Sequence, residues 1–370
     1  MIYLDYAANT PVNKKVLDAF NNATIAYFGN PNSLHENGNE AKKKIDEASQ
    51  IIADYFHTKK ENIIYTSGSS ESNNLVIKGI ADRYKKEGKH IIISAIEHSS
   101  IIAPCNYLAS NGFEITVIPL LSNGMIDIEA LKKALREDTI LVSISTVDPE
   151  LGTIEPIQEI AEILKDYPNT YFHTDATGAI GKIKMDYKGI DFLTFAPHKF
   201  YGLNGSGVLI NFNDLKITPL IHGGKSTTIY RGGTPDTANI IATSIALQEA
   251  TKKLDENIKY ITNLKNELIN KLKEIKKVHI NTSTNSIPNI VNFSINNADK
   301  IVKKLSDKKI YVSTKTACSS KKAPSKSVLE VTKDLNLAKN SIRVSLSHLT
   351  TKEEIDIFLK ELTEVINENN

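Results

Sequence analysis

The chain has 370 residues, of which 41% are hydrophobic and 24% are charged, and its net charge is only +2. This composition is typical of a soluble globular protein that is long enough for two domains, and a balanced charge gives no general attraction to nucleic acid or to an anionic membrane. No apolar run approaches the roughly 18 residues that span a bilayer, and residues 1–12 lack the pattern of a signal peptide, so we expect a cytoplasmic protein.

Seven short apolar segments alternate with helical patterns from about residue 60 onward. Short apolar segments separated by helices predict an α/β fold with a mainly parallel seven-stranded sheet that is covered on both faces. The predicted strands are 62–67, 90–96, 114–120, 139–146, 170–176, 191–197 and 207–212.

The pattern changes in the C-terminal third of the chain. A long amphipathic helix is predicted over about 238–276, and strands follow at 288–295 and 309–314, with helices beside them. This order of elements is typical of a smaller α+β unit. We therefore expect three parts, with the helical stretch 13–57 packing near the small domain. These parts are an N-terminal segment (1–12), a large α/β domain (13–250) and a small C-terminal domain (251–370).

Polar residues follow the first two predicted strands of the sheet. Ligands of open α/β sheets bind at the carboxyl ends of the strands. Gly68 permits a sharp turn, and Ser69 and Ser70 then open a helix whose N-terminus attracts phosphate, although the serines could also be plain N-caps. His98 follows the second strand. It can stack on a flat cofactor ring, or it can be a capping or surface histidine.

Asp175 and Lys199 end two successive predicted strands. A buried carboxylate is costly without a partner, and a pyridinium N–H would provide one, although Asp175 could instead cap the next helix. A desolvated lysine forms imines readily, although Lys199 could be a solvated loop residue. Because both side chains face one crevice, we predict that Lys199 carries pyridoxal phosphate as a Schiff base. Asp175 would keep the ring protonated, which makes the cofactor an electron sink.

These residues belong to a series of motifs that resembles the cysteine desulfurases of the class V aminotransferase family, which are pyridoxal-phosphate enzymes of fold type I. The resemblance extends over nearly the whole chain and implies L-cysteine as the substrate. The motifs are YLDYAANTP (3–11), FGNPNSLHENG (28–38), TSGSSESNN (66–74), EH (97–98), ELGTIEPI (150–157), HTDAT (173–177), HKFYG (198–202), RGGT (231–234), ACSS (317–320) and SIRVSL (341–346).

The resemblance also implies roles for single residues. His98 would stack on the cofactor ring and move protons, and Arg343 and Asn32 would bind the substrate, since a planar guanidinium fork suits a carboxylate. The implied phosphate ligands are Ser69, Ser70, His198 and, from the other subunit of a homodimer, Thr234.

Cys318 would take the sulfur atom, and the lysines around it favour its thiolate. The thiolate would attack the sulfur of the substrate, alanine would leave, and a persulfide would remain for an acceptor protein or a thiol. Iron–sulfur assembly, tRNA thiolation and cofactor synthesis are all compatible with this chemistry. A small buried hydrophobe is the alternative for either cysteine, and we expect it for Cys105. We find no spacing typical of metal ligands.

Several positions depart from the pattern of the family, among them three that bear on the cofactor. Pro149, Gly178 and Ala196 stand where asparagine, glutamine and serine side chains commonly contact the cofactor. We hypothesise a divergent paralogue that holds the cofactor with altered turnover or acceptor choice. The alternatives are a selenocysteine lyase, a cysteine sulfinate desulfinase, or a cofactor-binding scaffold of low activity. A nicotinamide-dependent dehydrogenase is disfavoured, because no GxGxxG follows the first strand.

Overall fold

A computed structural model describes residues 1–224, 226–314 and 323–368. The strands are β1 (Ile2–Tyr3), β2 (Ile63–Thr66), β3 (His90–Ser94), β4 (Glu114–Ile118), β5 (Thr139–Ser143), β6 (Tyr171–Asp175), β7 (Phe192–Phe195), β8 (Gly207–Asn211), β9 (His279–Ile280), β10 (Ile290–Ser294), β11 (Ile310–Tyr311) and β12 (Ser341–Ser345). The helices are α1 (Lys14–Ala26), α2 (Glu36–Tyr55), α3 (Ser69–Tyr84), α4 (Ser99–Ala109), α5 (Ile128–Ala134), α6 (Ile157–Leu164), α7 (Thr237–Thr251), α8 (Leu254–Glu274), α9 (Ala298–Asp307), α10 (Lys326–Thr332), α11 (Leu335–Lys339) and α12 (Lys352–Glu368).

The seven predicted strands form one sheet in the order β2-β8-β7-β6-β5-β3-β4. Only β8 runs antiparallel to its neighbours, so the prediction of a mainly parallel sheet is confirmed. Several strands end two or three residues earlier than predicted, as β3 does at Ser94 and β5 at Ser143. The chain turns out of the sheet at these points and forms the loops of the candidate site.

Apolar side chains cover both faces of this sheet. In β3, Ile92 belongs to one hydrophobic cluster, whereas Ile91 and Ile93 belong to another on the opposite face. In β8, Leu209 and Ile210 divide between the same two clusters. Successive strand residues point to opposite faces, so a strand that is buried on both sides must be mainly apolar, as β3 and β8 are.

A second core lies among the C-terminal elements. Strands β9, β10 and β12 form an antiparallel sheet, and β1 pairs in parallel with β11. Ile2 and Leu4 share one buried cluster with residues of α8, α9 and α12. The N-terminal strand therefore packs with the C-terminal third of the chain. The division at residues 12 and 250 stays a prediction.

One sequence-based expectation about helices is wrong. The single helix predicted over 238–276 is two helices, α7 and α8, because Lys253 between them leaves the helical conformation (φ −124°, ψ 30°). Leu247 packs in the cluster of the large sheet, and Leu264 packs in the C-terminal cluster. A single straight helix could bury its apolar side chains in only one of these two clusters. The helices α1 and α2 pack against α7, and Ile52 of α2 belongs to the cluster of the large sheet. The expected packing of 13–57 near the small domain stays a prediction. In the described ranges, no helix is long and apolar enough to cross a bilayer.

Candidate active site

A cavity of about 280 Å³ opens beside the carboxyl ends of β3, β5, β6 and β7. It brings together most of the residues that the sequence nominates. Seven of those lie in its lining, namely Ser69, Ser70, His98, Asp175, His198, Lys199 and Arg343. These residues therefore meet where the parallel strands end, which is where ligands of open α/β sheets bind.

The N-terminal segment holds Lys199 in place. Lys199 follows β7 in a short 3-10 turn, and its Nζ donates hydrogen bonds to the carbonyl oxygens of Ala7 and Ala8, each at 2.7 Å. Thr10 donates from its backbone N–H and from Oγ1 to the carbonyl of His198. Sequence reasoning missed Ala7 and Ala8, because they act through backbone oxygens and their side chains carry no signal.

The turn after Lys199 is tight enough to require its particular residues. Tyr201 has a positive φ of 69°, and its N–H donates to Thr10 Oγ1 at 2.7 Å. An added Cβ on Gly202 would lie 2.4 Å from Pro197 Cβ, so only glycine fits there. This geometry accounts for the glycine in HKFYG and fixes the base of the lysine side chain.

Asp175 is the last residue of β6 and is 7% exposed. Its Oδ2 accepts a hydrogen bond from Asn73 Nδ2 at 2.8 Å, and its Oδ1 accepts one from the N–H of Thr177 at 2.9 Å. Each carboxylate oxygen can accept a second bond, so the group keeps the capacity to bind a ring N–H. Asn73 is a further residue of the site, and its only sequence signal was its place in the motif 66–74.

His98 is the N-cap of α4 and has a defined orientation. Its Nδ1 accepts from the N–H of Ser100 at 3.2 Å and lies 2.8 Å from the Oγ of the same serine. Burial lowers the pKa of His98, and the charge of Lys199 adds to that effect, while Asp175 opposes it. The neutral ring therefore carries its proton on Nε2, as inferred from the bond that Nδ1 accepts.

The start of α3 is suited to an anion. Gly68, and not a serine, is the N-cap, and no side chain caps the helix, so the interpretation of Ser69 and Ser70 as N-caps is wrong. An added Cβ on Gly207 would lie 2.4 Å from the carbonyl carbon of Gly68, so the two loops approach closely. Uncapped N–H groups and two hydroxyls at a helix N-terminus bind phosphate well. Burial lowers the pKa of the nearby His198 to about 4, so this imidazole is neutral.

Arg343 reaches the cavity from β12 while it is 1% exposed. Its Nη2 forms an ion pair with Asp5 Oδ1 at 2.8 Å, and its Nη1 donates to the carbonyl of Pro149 at 2.9 Å. Its Nε has no partner in the described part of the chain.

Lys182 also lines the cavity, and sequence reasoning missed it, although a lysine within the apolar stretch AIGKI was a usable signal.

Three nominated residues lie elsewhere. Asn32 is exposed and outside the cavity lining, and the exposed Thr234 lines a separate cavity of about 210 Å³ beside Arg231. Cys318 lies outside the described residues.

Cys105 is fully buried in α4, where burial raises the pKa of its thiol to about 12, so its assignment to the core is confirmed. No cluster of potential metal ligands occurs within the ranges that the structure describes.

The residues that depart from the family pattern have different surroundings. Pro149 and Gly178 both line the cavity, whereas Ala196 is fully buried outside its lining. An added Cβ on Gly178 would meet Val147 Cβ at an ordinary 3.4 Å, so packing does not require the glycine. The cavity therefore has room where a longer side chain could stand.

Two buried acids hold the chain near the start of α10. Asp148 Oδ1 accepts from the N–H of Glu150 at 2.8 Å and from Ser327 Oγ at 3.0 Å, and Glu150 accepts from Ser325 Oγ. Burial raises the pKa of Asp148 to about 7, and the charge of Glu150 adds to the effect. These contacts connect the loop after β5 with the start of α10.

The residues of the cavity fit pyridoxal phosphate. They offer an amine for a covalent link, a carboxylate with spare acceptor capacity and a neutral imidazole with a free ring N–H. The uncapped start of α3 suits the phosphate. The buried Thr177 Oγ1 also lines the cavity and has no partner among the described residues, so a polar ligand would satisfy it.

Comparison with known proteins yields one consistent family. The model of the family described as "Aminotransferase class-V" matches residues 2–358. The cysteine desulfurase IscS of Dictyoglomus turgidum is 42% identical over 99% of this chain and 94% of its own length, and the IscS of Methanosarcina thermophila is 38% identical over 99% and 92%.

Solved structures resemble the chain over a similar length. A structure titled "NIFS-LIKE PROTEIN" has a TM-score of 0.94 and 32% identity, and it covers 99% of both chains. A structure titled "SspA in complex with cysteine" has a TM-score of 0.82 and 31% identity, and the match covers 95% of this chain and all of that one (100%).

Proposed function

The chain belongs to the class V aminotransferase family, and we propose how its residues carry out the reaction of a pyridoxal-phosphate-dependent cysteine desulfurase. This enzyme removes sulfur from L-cysteine and leaves L-alanine. The observation that carries the assignment of roles is the cavity in which Lys199, Asp175 and His98 meet. These three residues are far apart in the sequence, and we infer that they meet in the cavity because they share a site.

Four residues would hold the cofactor. When bound, pyridoxal phosphate withdraws electrons from the α-carbon of the substrate. Lys199 would hold it through the side-chain amine, and Asp175 would accept the hydrogen bond of the ring nitrogen while Asn73 keeps the carboxylate in place. Ser69 and Ser70 would donate to the phosphate at the start of α3.

Of His98 and Lys199, Lys199 is the better acceptor for the proton of the α-carbon. The Nδ1 of His98 is engaged by Ser100, and its neutral ring already bears a proton on Nε2. We therefore assign the α-proton to Lys199, whose amine is aimed by the carbonyls of Ala7 and Ala8. His98 would remain a donor that stacks on the ring.

Sulfur transfer would need a thiolate, and we propose Cys318 for it. The thiolate would form an S–S bond with the sulfur of the substrate while the C–S bond breaks. The electron pair of the broken C–S bond stays with the carbon atom. This carbon takes up a proton, and the product leaves as alanine. A persulfide then remains on Cys318 for an acceptor protein. Cys105 is unsuited to this role, because burial keeps it a thiol.

Mass spectrometry tests these assignments. The purified holoenzyme is incubated with L-cysteine, its thiols are alkylated, and alanine is measured in the same sample. We expect one extra sulfur atom on Cys318 and an equal amount of alanine in the first turnover. Cys318→Ala should abolish the persulfide, whereas the matched variant Cys105→Ala should keep it. Alanine formation with the extra sulfur on Cys105, or on neither cysteine, would contradict the proposal.

A homodimer is also part of this proposal. Thr234 is exposed and lines a cavity other than that of Lys199, which supports a role toward a second subunit. Sedimentation of the holoenzyme tests the dimer. A mixture of Thr234→Ala and Lys199→Ala chains tests whether one subunit completes the site of the other. A cytoplasmic location stays a prediction.

A further inference from the structure

Residues 4–10 connect two parts of the active site, and we call this segment the strap. On one side the strap contacts β12, where the N–H of Ala7 donates to Ser345 Oγ at 2.9 Å. On the other side the carbonyls of Ala7 and Ala8 accept hydrogen bonds from Lys199 Nζ. Ala7 therefore contacts β12 through its N–H group and Lys199 through its carbonyl, so a shift of β12 would be passed on to the amine.

Thr10 fixes the end of the strap to the turn that carries Lys199. Its Oγ1 donates to the carbonyl of His198 at 2.8 Å and accepts from the N–H of Tyr201 at 2.7 Å. Thr10 is buried, so water does not readily replace these hydrogen bonds. The residues on both sides of Lys199 are thus tied to the same strap that holds its amine.

Strand β12 presents two buried side chains to the strap. Arg343 and Ser345 are two residues apart, and side chains at this spacing in a strand point to the same face. Arg343 Nη2 pairs with Asp5 Oδ1 at 2.8 Å, and Ser345 Oγ accepts from Ala7. Arg343 also lines the main cavity, where it is expected to bind the carboxylate of the substrate. One strand therefore carries both the group for the substrate and the group that holds the strap.

The two carbonyls of the strap orient the amine of Lys199 for proton transfer. A neutral amine has two N–H groups and one lone pair. When its N–H groups donate to the carbonyls of Ala7 and Ala8, each at 2.7 Å, the lone pair must point away from the strap. Displacement of Ala7 would turn this lone pair, and a misplacement of about 1 Å is enough to slow a reaction strongly.

We propose that Ser345 and Thr10 are positioning residues for the transfer of the α-proton, because together they hold the strap that aims the amine of Lys199. Both lie outside the lining of the main cavity, so they act through the strap. This inference rests on the proposed function and deepens it. Strand β12 would set the position of the base relative to a substrate whose carboxylate is bound on the same strand.

Exchange of the α-proton of L-alanine separates positioning from binding. The cofactor-loaded protein is incubated with L-alanine in D₂O, where exchange requires the amine of Lys199 but no sulfur transfer, and affinity for L-alanine is measured by cofactor absorption. Ser345→Ala removes the acceptor of the Ala7 N–H, and Thr10→Val removes a hydroxyl at nearly constant shape. Each should slow exchange about 10- to 100-fold and leave the affinity within about twofold. Thr10→Ser should recover most of the rate.

Ser341→Ala is the matched control, because Ser341 is a buried serine of the same strand whose Oγ donates to the carbonyl of Thr314 instead of contacting the strap. It should exchange and bind L-alanine as the wild type does. In the cofactor-free protein, amide hydrogen exchange at Ala7 should be faster in Ser345→Ala and unchanged in Ser341→Ala.

Exchange of the α-proton at the wild-type rate in both Ser345→Ala and Thr10→Val would overturn the proposal. A loss of affinity for L-alanine as large as the loss of rate would overturn it too, since the residues would then act on binding. If Ser345→Ala does not fold, the comparison of Thr10→Val with Thr10→Ser decides alone. Sulfur release from L-cysteine by the wild type is measured in parallel, and its absence would refute the proposed function instead.

Discussion

Replacement of Asp148 by asparagine should change how the stability of the protein depends on pH. Asp148 is fully buried beside Glu150, and burial raises its pKa from 3.8 to about 7. The folded protein therefore retains a proton on this carboxyl at pH values where the unfolded chain has lost it. Stability that is present at low pH is lost as the pH rises from about 4 to about 7. Asparagine cannot titrate, so the variant should lack this loss.

The magnitude follows from the two pKa values. A carboxyl whose pKa is 3.8 when unfolded and about 7 when folded costs up to about 4 kcal/mol above pH 7 and about 1.5 kcal/mol at pH 5. The amide oxygen of asparagine can still accept from Ser327 Oγ and from the N–H of Glu150. The new amide N–H₂ stands where Oδ2 has no partner among the described residues, and any cost of this does not depend on pH. The variant should thus gain about 3 kcal/mol relative to the wild type between pH 5 and pH 8.

Urea unfolding at pH 5, 6, 7 and 8 measures this difference. The holoenzyme and the cofactor-free protein should both be followed, since bound cofactor adds its own stabilisation. Asp166→Asn makes the same chemical change at an exposed position and is the matched control. If the difference between Asp148→Asn and the wild type were constant from pH 5 to pH 8, the buried carboxyl would not titrate as we reason.

Three further predictions concern the site. Asp175→Asn should lower the affinity for pyridoxal phosphate about 10- to 100-fold, because a charge-assisted bond to the ring nitrogen is lost; equilibrium dialysis measures this. Asp5→Ala should lower the free energy of unfolding by about 2–3 kcal/mol, because the buried Arg343 loses its counter-charge; urea unfolding that matches the wild type would contradict it. Because burial holds the pKa of His98 below its usual 6.5, protonation of His98 should not lower the desulfurase rate above about pH 6.5. A loss of rate above pH 6.5 that disappears in His98→Gln would refute this.

The sequence predicted the large sheet well because its strands are buried on both faces. Segments such as 90–96 and 139–146 are rich in apolar residues, and each contains a strand of the sheet. The long helix over 238–276 was predicted poorly for a related reason. An amphipathic pattern continues across Lys253, and only the presence of two separate cores shows that the helix must break there.

Some residues of the candidate site could be predicted from the sequence, whereas others became visible only in the structure. Asp175, His98 and Lys199 could be found from the sequence, because reactive side chains at the carboxyl ends of parallel strands must converge on one edge of the sheet. The carbonyls of Ala7 and Ala8, the pairing of Arg343 with Asp5 and the approach of Lys182 to the cavity were decided only by the tertiary structure. Backbone oxygens are the same in every residue, and contacts between chain segments far apart depend on packing. Local sequence therefore specifies which groups can react, and the folded chain decides how those groups are held.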